Sequence, residues 1–290
     1  MTEHTTHQDP LFGAEERTVR VGGIVTRYLI AGDPANDPVL LLHDGAWGAS
    51  AEVTWGSFIP RLSSDYCVIA PDLIGYGRSD KVAFVDRAPH DSRIDQLSAL
   101  VDTLNVTKPI HLVGNSFGGA VALRALARPR AFNFRSVVSI AGSGGPGRTP
   151  LSIEQLGKWD GTREDLSRVL ALLVDEDFDG FEAQLDARFT SARQPGHYRS
   201  VIAPSAPIPE SLRLAGNDPW PAQIAATEVP ILLVHCMRDV LLEDDWAANL
   251  RVGVPHAQVV EVDGKHAVQL DHPDDVEEAL SQFFASLPTI

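Results

Sequence analysis

Residues 110–120 read Ile-His-Leu-Val-Gly-Asn-Ser-Phe-Gly-Gly-Ala, and this stretch restricts the fold more than any other. Ile110–Val113 is a short apolar run of the kind that forms a strand buried on both faces of a sheet. Val121, Leu123 and Leu126 then mark a helical apolar stripe directly after Ser116. Ser116 thus stands where strand turns into helix, with Gly114 and Gly118 two positions to either side. A serine presented on so sharp a turn needs small residues there, because larger neighbours would clash. The turn sets the hydroxyl at the positive end of the following helix and aims the Phe117 N–H at a developing oxyanion. A bare glycine–serine–glycine spacing is common by chance. Its place between strand and helix makes it specific, with a serine in an ordinary glycine-rich turn as the alternative.

The rest of the chain repeats the strand–helix rhythm. Thr18 to Ile30 alternates around Val21-Gly22-Gly23, which reads as an antiparallel hairpin at a sheet edge. Short apolar runs at Val39–Leu42, Cys67–Ala70, Val137–Ile140, Ile231–Val234 and Val259–Val262 join Ile110–Val113 as buried strands. Helical stripes fall at Ile94, Leu97, Leu100, Val101 and Leu104, and again at Val276, Leu280, Phe283 and Phe284. The pattern predicts an α/β protein built on a doubly wound, mostly parallel sheet with helices on both faces. The rhythm stops between about Gly144 and Thr227, where two acidic amphipathic segments and a proline-rich run from Ala203-Pro204 to Pro209 intervene. We read this stretch as a helical cap inserted into the core, which divides the chain into 1–143 (core), 144–227 (cap) and 228–290 (core).

A serine is a nucleophile near neutral pH only with a base beside it, and the base needs an orienting carboxylate. On such a sheet the chain order is serine, acid, histidine. Ile231–Val234 leads through His235-Cys236-Met237-Arg238 to Asp239, and Val259–Val262 leads through Asp263-Gly264-Lys265 to His266. Both lie past the carboxyl ends of parallel strands, where open α/β sheets bind ligands. Ser116, Asp239 and His266 are therefore the candidate triad. Glu243, Asp244 and Asp263 are alternative acids that read better as solvated loop charges. His235, inside a strand, and His272, opening the last helix, are weaker alternatives to His266. The loop after Val39–Leu42 reads His43-Asp44-Gly45-Ala46-Trp47-Gly48, and a glycine there lets a backbone N–H approach an oxyanion closely. We assign the Gly45 amide as the second oxyanion donor beside Phe117, and give His43 a structural role in holding the loop.

Composition bounds the remaining possibilities. A chain of 290 residues with 44% hydrophobic and 22% charged residues accommodates one large α/β domain with an insertion, or two ordinary domains. The net charge of −15 argues against a nucleic-acid partner, since no basic field is available to displace counterions. It leaves room for an anionic small-molecule substrate, because one well-placed arginine dominates a dry pocket. Cys67 and Cys236 lie far apart, so a disulfide framework is not expected. The polar opening 1–10 carries no signal-peptide pattern and reads as frayed, and no apolar run is long enough to span a bilayer. A cytoplasmic protein without membrane partners follows. The histidines lack metal-ligand spacing, and no glycine turn carries the dinucleotide or phosphate pattern, so neither metal nor organic cofactor is implied.

Three stretches together carry a resemblance: Leu112–Gly119; Val68-Ile69-Ala70-Pro71-Asp72-Leu73 leading to Gly75-Tyr76-Gly77-Arg78-Ser79-Asp80; and the His43 loop with Gly48-Ala49-Ser50-Ala51. Over nearly its whole length the chain resembles the α/β-hydrolase superfamily, and within it the meta-cleavage-product hydrolases, which break carbon–carbon bonds in ring-opened aromatic compounds. The resemblance implies an α/β-hydrolase fold with an eight-stranded sheet and a cap, and a homodimer or larger assembly. It also implies that Arg188, in the cap segment Leu185–Phe189, holds a substrate carboxylate, and that Asn115 lies near the substrate oxygens. Trp47, Phe117, Phe189 and Val268 are then candidate apolar walls. The chain departs from the family at Asp44 and Trp47, in a loop that usually carries glycines and a proline, and at Ala267, where an aromatic commonly follows the histidine. A carboxylate at Asp44 would repel an anionic substrate, which makes an ester or lactone the competing substrate class. A binding-only receptor and a cofactor-independent dioxygenase using His266 as base are further readings, disfavoured by the intact serine–acid–histidine set.

Overall fold

The computed structural model describes residues 12–84, 87–128, 130–205 and 218–288; the polar opening 1–10 and part of the proline-rich run, 206–209, lie outside them. The first strands, β1 (Glu15–Val21) and β2 (Ile24–Ala31), form the expected antiparallel hairpin. β3 (Asp37–Leu42), β4 (Tyr66–Pro71), β5 (Ile110–Asn115), β6 (Phe134–Ile140), β7 (Ile231–Cys236) and β8 (Gln258–Val262) complete a sheet of 8 strands in the order β1-β2-β4-β3-β5-β6-β7-β8. Only the pairings of β2 with β1 and β4 are antiparallel; β4 through β8 run parallel. Each short apolar run read from the sequence lies inside one of these strands. β3 and β5 are buried at successive positions, as strands covered on both faces must be.

The helices follow in chain order: α1 (Ala51–Trp55), α2 (Ile59–Leu62), α3 (Pro89–Thr103), α4 (Phe117–Ala125), α5 (Pro150–Leu156), α6 (Arg163–Leu170), α7 (Phe181–Ala192), α8 (His197–Ile202), α9 (Trp246–Gly253), α10 (Val268–Asp271) and α11 (Pro273–Ala285). α3 begins with proline at its first turn, where the missing N–H costs nothing, and buries Ile94, Leu97, Leu100 and Val101. α5 to α8 lie between β6 and β7, the segment expected to form the cap. Their apolar faces (Leu166, Val169, Leu170, Leu185) form a second cluster with Trp47, Leu241 and Ala267 from the core loops. That cluster ties the helices to the rim of the sheet. Burying these side chains on both partners is what holds the inserted segment over the strand ends.

Because β3, β5, β7 and β8 are parallel, the loops that leave them emerge on one edge of the sheet. Asp44 and Gly45, Ser116, Asp239 and His266 therefore gather from four separate stretches of chain. Cys67 and Cys236 are both buried and free. Among the described residues no helix is long and apolar enough to cross a membrane.

Candidate active site

Ser116 has φ 54° and ψ −115°, a conformation that costs a side-chain-bearing residue on the order of 1–3 kcal/mol. Its surroundings enforce it. The Ser116 N–H donates to Ile140 O at 2.7 Å, and the Ser116 carbonyl accepts from Ala120 N at 2.9 Å, so the turn is pinned to β6 on one side and starts α4 on the other. A Cβ on Gly114 would overlap the Gly118 carbonyl group, and one on Gly118 would overlap the Leu42 carbonyl. The small residues demanded by the sequence pattern are thus required by contact, not merely tolerated.

The serine hydroxyl donates to His266 Nε2 at 2.6 Å, and His266 Nδ1–H donates to Asp239 Oδ2 at 2.7 Å. The other carboxylate oxygen of Asp239 accepts from Leu241 N at 2.8 Å. Asp239 and His266 are 7% and 3% exposed, so this relay is nearly dry. In that tautomer His266 is set to take the serine proton and return it later. The alternatives do not reach the serine. Asp263 pairs with Arg238 at the surface, Glu243 and Asp244 are exposed, His235 faces Glu261 at 3.9 Å, and His272 lies against Asp175.

The loop after β3 supplies the opposing wall. Buried His43 accepts from Leu73 N through Nε2 at 2.9 Å, so its proton sits on Nδ1, which donates to Asp44 O at 2.6 Å. Burial lowers the His43 pKa and keeps the ring neutral, as this arrangement needs. In a trans peptide the carbonyl and amide point opposite ways. By holding the Asp44 carbonyl, His43 turns the Gly45 N–H away from itself. The Tyr76 hydroxyl fixes the next peptide by donating to Gly45 O at 3.1 Å. A Cβ on Gly45 would stand 2.8 Å from Phe117 Cβ, so the two expected oxyanion donors are neighbours. Neither amide has an acceptor among the described residues. The structural role read for His43 is the one its geometry gives.

A cavity of about 460 Å³ opens above Ser116 and His266. Gly45, Trp47, Tyr76 and Phe117 line it from the core, and Ile153, Leu156 and Val201 from the helical segment. Of the four candidate apolar walls, Trp47 and Phe117 line this cavity. Phe189 and Val268 do not. Phe189 packs at the margin of the second apolar cluster against Trp159, and Val268 is fully buried in the main core.

Two further expectations are corrected. Arg188 does not face the cavity; it is 1% exposed and donates to both carboxylate oxygens of Asp44, at 3.2 and 2.9 Å. Asp44 also accepts from Ala46 N and the Thr54 hydroxyl. Burial would raise the Asp44 carboxyl, but Arg188, the Thr54 hydroxyl and His43 bring its pKa down to about 2. The carboxylate expected to repel an anionic substrate is thus neutralised by the very arginine expected to bind one. Asn115 is fully buried beneath the serine. It donates to His266 O at 2.9 Å and Ile140 O at 3.2 Å, and accepts from Gln269 Nε2 at 3.2 Å. Its side chain anchors the histidine loop and is turned away from the cavity.

The sequence pattern did not single out Tyr76, Arg93, Arg148 or His197 as site residues. Tyr76 stands between Gly75 and Gly77, and such flanking glycines signal a residue held close to other backbone. Arg93 lies beside a helical stripe and reads as an ordinary helix charge. His197 accepts from Gly48 N at 3.0 Å and so ties α8 to the same loop as Arg188. No spacing along the chain marks that contact.

Residues 39–279 match the model of a family described as the alpha/beta hydrolase family. The chain belongs to that family. It is a hydrolase by that membership. It is similar to a 2-hydroxy-6-oxo-6-(2'-aminophenyl)hexa-2,4-dienoic acid hydrolase of Metapseudomonas resinovorans, 28% identical over 93% of this chain and 91% of the relative. A 2-hydroxymuconate semialdehyde hydrolase of Pseudomonas sp. strain CF600 is 25% identical over 93% of each chain. Among solved structures, the 2-hydroxy-6-oxo-6-phenylhexa-2,4-dienoate hydrolase of Rhodococcus sp. strain RHA1 superposes with a TM-score of 0.81 at 28% identity, covering 94% of this chain and 99% of that one.

Proposed function

We propose that this hydrolase cleaves a carbon–carbon bond in a 2-hydroxy-6-oxo-dienoate product of aromatic ring opening, through an acyl-enzyme on Ser116. The observation that carries the reading is the dry Ser116–His266–Asp239 relay under a cavity whose lining, among the described residues, holds two guanidinium groups and no carboxylate. The names of the full-length relatives support the same substrate class.

The bound dienolate first takes a proton from solvent at C5 and becomes the keto form. Ser116 Oγ then attacks the C6 carbonyl carbon while His266 Nε2 accepts its proton. The amides of Gly45 and Phe117 stabilise the resulting oxyanion, each worth about 2.7–4 kcal/mol to the transition state. As the C5–C6 bond breaks, its electron pair passes through the conjugated chain to the C2 oxygen, which takes the proton held by His266. A dienoic acid leaves and the acyl group stays on Ser116. Water, deprotonated by His266, then releases it as a carboxylic acid. Asn115 contributes by anchoring the carbonyl of the histidine it sits beneath.

An esterase or lactonase using the same three residues is the second reading, favoured by the engagement of Arg188 with Asp44. Mixing the protein with the yellow dienolate formed by catechol ring opening tests the two. Bleaching at a rate that Ser116→Ala abolishes is expected. Turnover of nitrophenyl esters with the yellow colour untouched would overturn the carbon–carbon reading in favour of the ester one.

A further inference from the structure

Acidic residues outnumber lysine and arginine by 39 to 24 in this chain, and its arginines are widely paired with them. Arg27, Arg61, Arg124, Arg163 and Arg238 each touch a carboxylate. Among the described residues, the two arginines that line the catalytic cavity do not. Arg93 is 3% exposed; it donates to Pro89 O, Ser92 Oγ and Ile74 O, all neutral acceptors, and lies 5.7 Å from the centre of the Phe117 ring. Burial lowers its pKa, with Tyr76 the one group opposing that fall. Arg148 opens at the mouth, where it donates to Ser152 Oγ at 3.1 Å and Ser152 O at 3.2 Å. Two of its five N–H groups are thereby used and the others are free to meet a ligand. An isolated bridge from Arg148 to Leu242 pins its backbone to the loop that follows Asp239. No aspartate or glutamate lines the cavity among the described residues.

Arg93 is a guanidinium removed from water without a counter-charge, which is costly, and an anion entering the site relieves that cost. The field of the buried Arg93 is weakly screened, whereas Arg148 is exposed at the mouth and acts by direct contact through its free N–H groups. Arg188 offers no such field, since Asp44 cancels it at 2.9 Å.

We propose that Arg148, backed by the buried Arg93, forms the anion subsite of this cavity and selects substrates that carry a carboxylate. The proposal rests on acyl transfer at Ser116 but not on which bond is broken. Arg148 makes the contact, and Arg93 supplies a fixed positive potential beneath Phe117. Arg188 serves the oxyanion loop instead.

The test compares 4-nitrophenyl hemisuccinate, an anionic ester, with 4-nitrophenyl butyrate, a neutral ester of similar length. In Arg148→Met the ratio of kcat/KM for the anionic over the neutral ester falls at least tenfold, and Arg148→Lys restores part of it. Arg93→Met lowers the same ratio by a smaller factor. Binding to the unmodified protein provides a check free of folding effects and of turnover. Quenching of tryptophan fluorescence, to which Trp47 in the cavity wall contributes, should show 4-phenylbutyrate binding at least tenfold more tightly than 4-phenylbutyramide, with the gap narrowing as salt rises. A ratio within twofold of wild type in both methionine variants overturns the proposal, as does equal binding of acid and amide. If the acid preference holds while the yellow dienolate is not bleached, the subsite stands and the carbon–carbon reading fails. Bleaching without an acid preference overturns the subsite and leaves the carbon–carbon reading standing.

Discussion

Replacing Arg188 by methionine separates a substrate clamp from a loop anchor, and its consequences follow from the geometry. Arg188 and Asp44 are each 1% exposed and joined by two hydrogen bonds. Removing one member of a buried pair leaves the other charged and unpaired, which costs about 3–5 kcal/mol. At roughly 2–4 °C per kcal/mol for a domain of somewhat smaller size, the melting temperature should fall by about 6–20 °C. The pH dependence gives a sharper signature. In the wild type the Asp44 pKa is depressed from 3.8 to about 2, so its stabilisation is complete above pH 4 and is lost as the pH falls toward 2. Without Arg188, burial dominates and the Asp44 pKa rises above its unfolded value. The variant then loses stability as the pH rises past 4, and its deficit should shrink on acidification from pH 8 to pH 5. Adding Asp44→Asn should recover much of the loss, with a coupling on the order of 2–4 kcal/mol read from urea unfolding of the four proteins. Because the pair holds the oxyanion loop, kcat should drop for neutral and anionic substrates alike. An Arg188→Met protein as stable as wild type, whose only defect is a raised KM for carboxylate substrates, would refute this reasoning and restore Arg188 as the substrate clamp.

Gly45→Ala should lower kcat about 10²–10³-fold, because the new methyl lies 2.8 Å from Phe117 Cβ and must displace an oxyanion donor. Wild-type kinetics in stopped-flow assays of nitrophenyl ester hydrolysis would remove the Gly45 amide from the oxyanion site. Asn115→Ala deletes the hydrogen bond to His266 O at 2.9 Å and strands that buried carbonyl, at about 1–3 kcal/mol. Its kcat should fall with KM changed by less than roughly threefold, the pattern of a lost interaction that does not involve ground-state substrate binding. A large rise in KM would mean that Asn115 touches the substrate after all.

The Asp44–Arg188 pair also bears on how this chain differs from the hydrolases it resembles. In the sequence, Asp44 looks like an intrusion that would repel an anionic substrate. In the fold it faces Arg188, Thr54 and the Ala46 amide, and it stiffens the loop that carries Gly45. With His197 bonded to Gly48, two helices of the inserted segment grip that loop. The oxyanion site is thus held partly from above, by residues 144 and 149 positions away from their partners in the chain.

Ser116 and its partners were legible from the sequence because each is announced locally. A buried strand, a turn of small residues and a helix mark the candidate nucleophile, and strand ends in the expected order mark the aspartate and histidine that the fold brings to it. The same local logic located the inner strands, since an apolar run buried on two faces has few other solutions; the hairpin was marked by alternation, and β8, expected to be buried, lies at the sheet edge and is only partly covered. Asn115 shows where that logic stops. Its position beside the serine was clear, but a side chain in a strand points to one face or the other according to register, and β5 turns it under the sheet edge toward His266 and Gln269. Charges are harder still. Arg188, Arg93 and Arg148 are alike as letters, and what distinguishes them is the company each keeps across the fold. Arg188 meets a carboxylate 144 residues away, while the other two meet only neutral oxygens around a cavity. The sequence by itself determined the chain order of the candidate triad and the strand–turn–helix setting of Ser116. Only the tertiary structure decided which arginine is neutralised and which line the cavity, because a charge interacts through distance and desolvation, and neither is encoded in its neighbours along the chain.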